Sequence, residues 1–258
     1  MESNKLDRLE IGARALGCPL NAAQLAMFEA YRSELLHWNL HTNLTAITDP
    51  AEIEVRHFLD SLTISAELPE RDRAAVPLAL LDVGTGAGFP GLPLKIALPD
   101  LRVWLIEATG KKATFLQHIV NVLGLAGVTV LQGRAEELGH EQGLREFFDV
   151  TVARAVGQLA VLAELNLPFT SVNGRFIAMK KGDVSEEVRA AATAIEALGG
   201  SFARVSPALV EGLDDNHWLV VIQKTSPTPS KYPRRPGMPS KRPLGQDSRK
   251  VSARDDQS

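Results

Sequence analysis

Apolar positions along this chain change rhythm near residue 70. Residues 4–68 read as helical, and two capping patterns mark helix starts: Asn21 with Gln24, and Asp49-Pro50 with Glu52. Proline at a first helical position costs nothing, because its missing N–H would have lacked a partner there. Helices are predicted over 5–16, 22–38 and 50–67, with a loop over 39–45. From residue 78, short apolar runs alternate with amphipathic segments. Strands are predicted over 78–83, 102–107, 127–131, 148–153, 174–179, 202–206 and 217–223, and helices over 90–98, 111–124, 157–168 and 185–198. In the second of these helices Phe115, Leu116, Ile119, Val120 and Leu123 form a core-facing stripe. This alternation predicts an α/β fold, a seven-stranded mostly parallel sheet with helices on both faces. The last two strands have no helix between them and should close the sheet as an antiparallel hairpin.

After Thr225 the pattern ends. Pro227, Pro229, Pro233, Pro236, Pro239 and Pro243 crowd a segment predicted to be extended and free of helix, its last dozen residues mobile. Three domains are expected: a helical cap over 1–70, the sheet domain over 71–225 and a proline-rich basic tail over 226–258.

Composition refines this picture at two points. The 258 residues are 45 % hydrophobic and 23 % charged, the balance of a globular protein. The single cysteine, Cys18, excludes an intrachain disulfide and suits a reducing compartment. Met1 to Arg14 lacks the apolar core of a signal peptide and no apolar run is long enough to span a bilayer, so a cytoplasmic protein without membrane contact is expected. The net charge of −3 is uneven: from Thr225 on, eight Lys/Arg face three Asp, leaving 20 basic against 28 acidic residues before it. An acidic body with a basic tail points to a polyanionic partner.

Candidate chemistry begins at Leu80-Leu81-Asp82-Val83-Gly84-Thr85-Gly86-Ala87-Gly88-Phe89-Pro90-Gly91. An apolar strand runs into alternate glycines, whose missing Cβ atoms permit positive φ and close ligand approach. Glu107 lies 21 residues after Gly86 at a strand end, where a carboxylate binds ribose hydroxyls. NAD and S-adenosylmethionine both carry that ribose. Asp82 before Gly84, and a short helix that begins with Pro90 and Pro93 and is poor in free N–H groups for a pyrophosphate, favour S-adenosylmethionine. Ala135 and Glu136, after the third strand, are placed to read an adenine edge; a solvated helix start is the plainer alternative. Arg154 ends the fourth strand, where ligands bind in open α/β sheets. That strand lacks the Asp/Asn-Pro-Pro-aromatic turn of amino-directed methyltransferases, and Cys18 lies far from any pyrimidine C5 chemistry. His37 and His41 have no third partner for zinc, so no metal is expected.

These segments resemble the RsmG (GidB) family. The resemblance rests on Val83 to Gly91, Arg134-Ala135-Glu136, Thr151 to Val156, Ala178-Met179-Lys180, Asn43-Leu44-Thr45, Arg56 to Ser61 and the tail from Lys231 to Leu244. It implies a class I methyltransferase that moves a methyl group from S-adenosylmethionine, with S-adenosylhomocysteine as product, to N7 of one guanine (G527, in the 530 loop) of bacterial 16S rRNA. It places cofactor contacts at Gly84, Gly86, Phe89, Ala135, Glu136 and Arg154, with Glu107 added from position and Arg154 also facing the transferred methyl. RNA contacts are expected at Asn43, Arg56, His57, Lys180, Lys181, Arg234 and Arg235, on the small subunit or its precursor, by a monomer. Guanine N7 carries a lone pair and no proton, so this reaction requires no general base. Removing the tail is expected to lower RNA affinity and leave cofactor affinity unchanged. The rival readings are an NAD(P)-dependent oxidoreductase and a non-catalytic ribosome-assembly protein that binds RNA.

Overall fold

The computed structural model describes residues 6–69, 76–154, 157–213 and 216–245. Expectations for Ala155, Val156 and the final residues, 246–258, fall outside that set. Seven strands form one sheet: β1 (Ala79–Val83), β2 (Arg102–Glu107), β3 (Val128–Gln132), β4 (Phe148–Ala153), β5 (Thr170–Lys181), β6 (Gly200–Pro207) and β7 (His217–Lys224). Their order is β3-β2-β1-β4-β5-β7-β6. β1 to β5 pair in parallel, and β7 runs antiparallel between β5 and β6. The connection reverses direction between β1 and β4, and the crevice there is where such sheets bind ligands. β5 continues past its last pairing with β4 at Ala178, so Lys180 and Lys181 overhang the crevice opposite Trp218 and His217 of β7.

Helices fill the crossovers: α5 (Gly91–Ala97), α6 (Gly110–Val122), α7 (Ala135–Leu138), α8 (Leu159–Asn166) and α9 (Ser185–Ala197). The stripe on α6 is buried as its spacing requires, with Phe115, Leu116 and Ile119 inaccessible to solvent.

The N-terminal helices are α1 (Asp7–Ala15) and α2 (Ala22–Thr42), then a continuous helical run. That run is α3 (Pro50–Ile53), a π-helical segment (Glu54–Leu59), α4 (Asp60–Leu62) and a 3₁₀ turn (Thr63–Glu67). Asn21 and Gln24 form the expected reciprocal cap, and Asp49 accepts from the Glu52 N–H. These helices share their core with the sheet. Leu9, Phe28, Tyr31 and Phe58 pack in one cluster with Leu80, Val103 and Phe115. Gln24 Nε2 donates to the carbonyls of Ile96 (2.8 Å) and Ala97 (3.1 Å) at the end of α5.

Two expectations change here. α2 runs four residues past the predicted end at 38, to Thr42. Asn43 closes it in the left-handed region (φ 50), which asparagine tolerates, while Asn39 Oδ1 caps the N–H groups of Leu44 and Thr45. The tail is not wholly extended: a short helix, α10 (Met238–Lys241), follows Gly237. Its Pro239 lies in the first turn, where no hydrogen bond is lost.

Candidate active site

The glycine loop leaves β1 at Val83 and is held almost entirely by its own fold. Gly84 and Thr85 donate to Ile106 O, Gly88 and Phe89 to Thr85 O, Gly86 to Glu107 Oε2 (3.0 Å) and Gly91 to Asp82 Oδ2 (2.8 Å). A pyrophosphate cradle needs such N–H groups free; here they are used to shape the turn. Gly84 (φ +71) and Gly86 (φ +62) take conformations disfavoured for L side chains, and a Cβ at either would meet only open space. Gly91 differs. Its Cβ would lie 2.6 Å from Leu105 Cδ2, so α5 can pack against β2 only with glycine there.

Two carboxylates stand at the strand ends. Asp82 is fully buried, and burial raises its pKa to about 6 although Thr85 and Gly91 donate to it. Its Oδ1 has no partner, a buried acceptor open to a cationic or hydroxyl group. Glu107 accepts from Gly86 through Oε2 and from Thr109 N–H through Oε1 (2.7 Å), each oxygen keeping a second lone pair. Ala135 opens α7, where a first-turn N–H has no intrahelical acceptor. Glu136 follows it and accepts from the Gly237 N–H (3.0 Å).

Beyond the loop opens a cleft of about 360 Å³, lined by Arg56, His57, Asp60, Arg154, Lys181 and Trp218 among others. Phe89, at the end of the loop, packs behind two residues that line the cleft. Its ring is buried, stacked on His57 (4.5 Å) and on Tyr31 (5.4 Å), with the Arg154 guanidinium 4.8 Å from its centroid. Tyr31 ties this cluster to the loop by donating to Ala87 O.

Arg154 is the hub. Nη1 donates to Arg56 O (3.1 Å) and lies 3.5 Å from Asp60 Oδ2, and Nη2 donates to His57 Nδ1 (3.1 Å). The Arg56 carbonyl and His57 both lie in the π-helical segment, a local widening often found at functional sites. His57 Nδ1 faces both Arg154 Nη2 and the Arg56 carbonyl (each 3.1 Å), and Nε2 shares a hydrogen bond with Thr45 Oγ1 (2.7 Å), so both ring nitrogens are engaged. Burial and the neighbouring Arg154 charge hold His57 neutral, with a pKa of about 3. Asp60 in turn accepts from His217 Nδ1 (3.1 Å). The titratable groups facing the cleft from the helical run and β7 thus bond one another. Among the described residues, the Nε–H and one Nη2–H of Arg154 have no partner.

The structure therefore brings Gly84, Gly86, Glu107, Ala135 and Glu136 to one side of Phe89 and Arg154, and Arg56, His57, Lys180 and Lys181 to the other. Asn43 lies outside the cleft, exposed at the end of α2. Three expected RNA-facing cations are already engaged, Arg56 with Glu52 on the same helical run. Lys180 bonds Gly157 O (2.6 Å) and Glu187 (2.8 Å), and Arg234 forks onto the solvent-inaccessible Glu164. Lys181 and Arg235 are exposed. Tyr31 and His217 are absent from the sequence reading, and Thr45 enters it only within Asn43-Leu44-Thr45, with no role of its own. Each looks like an ordinary core or loop residue until distant elements are brought together.

The model of the family described as rRNA small subunit methyltransferase G (GidB) matches residues 24–211. The chain belongs to that family. It is 48 % identical over 239 residues to the ribosomal RNA small subunit methyltransferase G of Roseiflexus sp. (strain RS-1), covering 93 % of this chain and all of that protein. The same enzyme of Dehalococcoides mccartyi (strain CBDB1) is 46 % identical with the same coverage. The fold is that of class I methyltransferases. The crystal structure of a SAM-dependent methyltransferase from Aquifex aeolicus superposes with TM-score 0.51 at 19 % identity, over 71 % of this chain and 97 % of that one.

The methyl donor of this rRNA methyltransferase family is S-adenosylmethionine, and the donor side fits it. The open space above Gly84 and Gly86, the unpartnered Asp82 oxygen and the carboxylate of Glu107 match a ligand of hydroxyls and a cationic amine rather than phosphates. No helix among the described residues is long and apolar enough to cross a membrane.

Proposed function

We propose that this chain methylates N7 of a single guanine, G527, in 16S rRNA, on a small subunit or its precursor in the bacterial cytoplasm. When bound, S-adenosylmethionine supplies an electrophilic methyl group on a sulfonium. The protein binds it through Glu107, Glu136 and the glycine loop, and presents the base from the cleft. The observation that carries this reading is the mutual pairing of His57, Asp60, His217 and Arg154. Burial, and then the neighbouring Arg154 charge, disfavour a proton on His57, and both its ring nitrogens are engaged. That environment favours an acceptor atom that brings its own lone pair and has no proton to lose, as guanine N7 does and an exocyclic amine does not. Arg154 keeps two N–H groups for an acceptor on the base, and O6 lies beside N7 on guanine's Hoogsteen edge. Catalysis then rests on in-line placement and fixed charge.

The test is transfer of labelled methyl from S-adenosylmethionine to small subunits from cells lacking the enzyme, followed by chain scission at 7-methylguanine. Scission at G527 alone is expected. Label on another atom or nucleotide overturns the assignment. Cofactor binding without transfer to any form of the rRNA would favour a non-catalytic assembly role.

A further inference from the structure

Residues 226–245 are docked along the body by a chain of specific bonds. Lys224, at the end of β7, is inaccessible to solvent and donates to Leu167 O (2.7 Å), Glu146 and Thr228 Oγ1. Arg145 donates to the carbonyls of Thr228 and Tyr232 (both 2.8 Å). His140 Nε2 donates to Pro233 O (2.8 Å). Glu164, buried in α8, takes three bonds from Arg234: backbone N–H (2.8 Å), Nε (2.8 Å) and Nη2 (2.6 Å). The segment even relies on a missing side chain, since a Cβ on Gly139 would lie 2.8 Å from the Pro233 ring.

One bond in this series reaches a candidate donor residue. Past the Arg234 fork, Gly237 turns with φ +79 and aims its N–H at Glu136 Oε1 (3.0 Å). Glu136 Oε2 has no partner among the described residues. Glu136 stands in the first turn after β3, beside the end of β2, where Glu107 pairs in register with Gln132. The tail thus reaches the donor side of the crevice, far along the sheet from the cleft.

We propose that the docked tail is a positioning element of the methyl-donor site: Gly237 holds one oxygen of Glu136 and leaves the other for the adenosyl group. This rests on the reading of Glu136 as a donor contact. Donor binding and tail docking then stabilise each other by the same factor, because coupling between two sites is reciprocal. The sequence alone predicts the opposite, a tail that serves RNA and is indifferent to the cofactor.

Hydrogen exchange on the full chain tests this without a substitution. Saturating S-adenosylhomocysteine should slow exchange of the Gly237 amide and its tail neighbours on the order of tenfold. Calorimetry then reads the coupling from the other end. Arg234→Gln, which loosens the fork about three residues away from the Glu136 contact, should weaken S-adenosylhomocysteine binding by a similar factor while circular dichroism stays native. Unchanged tail exchange at saturation overturns the proposal, whatever the variant does. So does a folded Arg234→Gln chain with wild-type affinity. If Glu136→Ala binds as tightly as wild type, Glu136 is not a donor contact and the proposal falls with it. A wild-type chain that binds no S-adenosylhomocysteine at all overturns the donor reading itself.

Discussion

The donor side and the acceptor side of the crevice are built by different means. On the donor side, Asp82, the glycine loop and Glu107 belong to one β-α-β unit, and the bonds that shape it span 2 to 22 residues of sequence. Backbone N–H groups do most of the holding, so the loop keeps its form whether or not a ligand is present. On the acceptor side, Arg154 meets His57 across 97 residues and Asp60 meets His217 across 157. Side chains do the holding there, each satisfied by another from a different element. A site of the first kind is a local property of the chain. A site of the second kind exists only once the helical run has packed on the sheet.

The sharpest way to break this comparison is at the hub. Arg154→Ala should lower methyl transfer to small subunits by about 10²–10³, the usual scale for removing a preorganised donor at a reacting centre. Affinity for S-adenosylhomocysteine should change less than tenfold. Glu107→Gln should do the reverse, weakening S-adenosylhomocysteine by about 1–3 kcal/mol as charged hydrogen bonds are lost, with little effect on transfer at saturating cofactor. Single-turnover kinetics and calorimetry on both variants decide it. Equal losses of binding and transfer in either one would merge the two sides into a single site.

This division also explains what could be read in the sequence. Every strand was legible, because buried runs bounded by turn residues are local signals, and so were the capping box at Asn21 and the loop from Asp82 to Gly91. Glu107 was singled out by its distance from Gly86 and its place at a strand end. Arg154 was legible as a position at a strand end, but not as a hub, because its partners Arg56, His57 and Asp60 come from the helical run, and theirs, Thr45 and His217, from a loop and from β7. The tail misled for a related reason. Its prolines announced the absence of strand, yet nothing local says that Arg234 meets a glutamate buried in α8, 70 residues away. Charge counts register how many cations a segment carries and not which are already paired. The π-helical segment left no trace in the apolar spacing of residues 50–67.

Holding His57 neutral costs the fold stability in acid. Its pKa in the fold, about 3, lies below its ordinary 6.5. Between those values the unfolded chain binds a proton that the native state refuses, so stability falls as pH drops through that window. Asp82 acts in the opposite sense. Raised from 3.8 to about 6, it binds its proton more readily in the native state, and adds stability on acidification over that interval. The acceptor side therefore weakens in acid while the donor side firms. His57→Gln should remove on the order of 2 kcal/mol of the loss between pH 6.5 and 4.5, read by denaturant unfolding at the two values. In the wild type, the His57 ring should stay neutral by NMR down to pH 4. A His57 that titrates near pH 6 would mean that Arg154 does not face it in solution.

The smallest expected effect separates two neighbouring lysines. Lys180 and Lys181 end β5 side by side and both line the cleft. Lys180 is bound to Glu187 and Gly157 O, so it holds α9 to the sheet end and has little charge to offer a phosphate. Lys181 is exposed. If the acceptor side meets the RNA backbone, Lys181→Ala should flatten the salt dependence of RNA binding by roughly 0.7 to 1 in log–log slope, the release of about one counterion, and leave the melting temperature unchanged. Lys180→Ala should do the converse, lowering the melting temperature because Glu187 loses its partner, with the salt slope intact. Filter binding across a salt series, beside thermal unfolding, reads both. Two identical phenotypes would show that the pairing of Lys180 does not survive contact with RNA, and that the acceptor side rearranges on binding where the donor side does not.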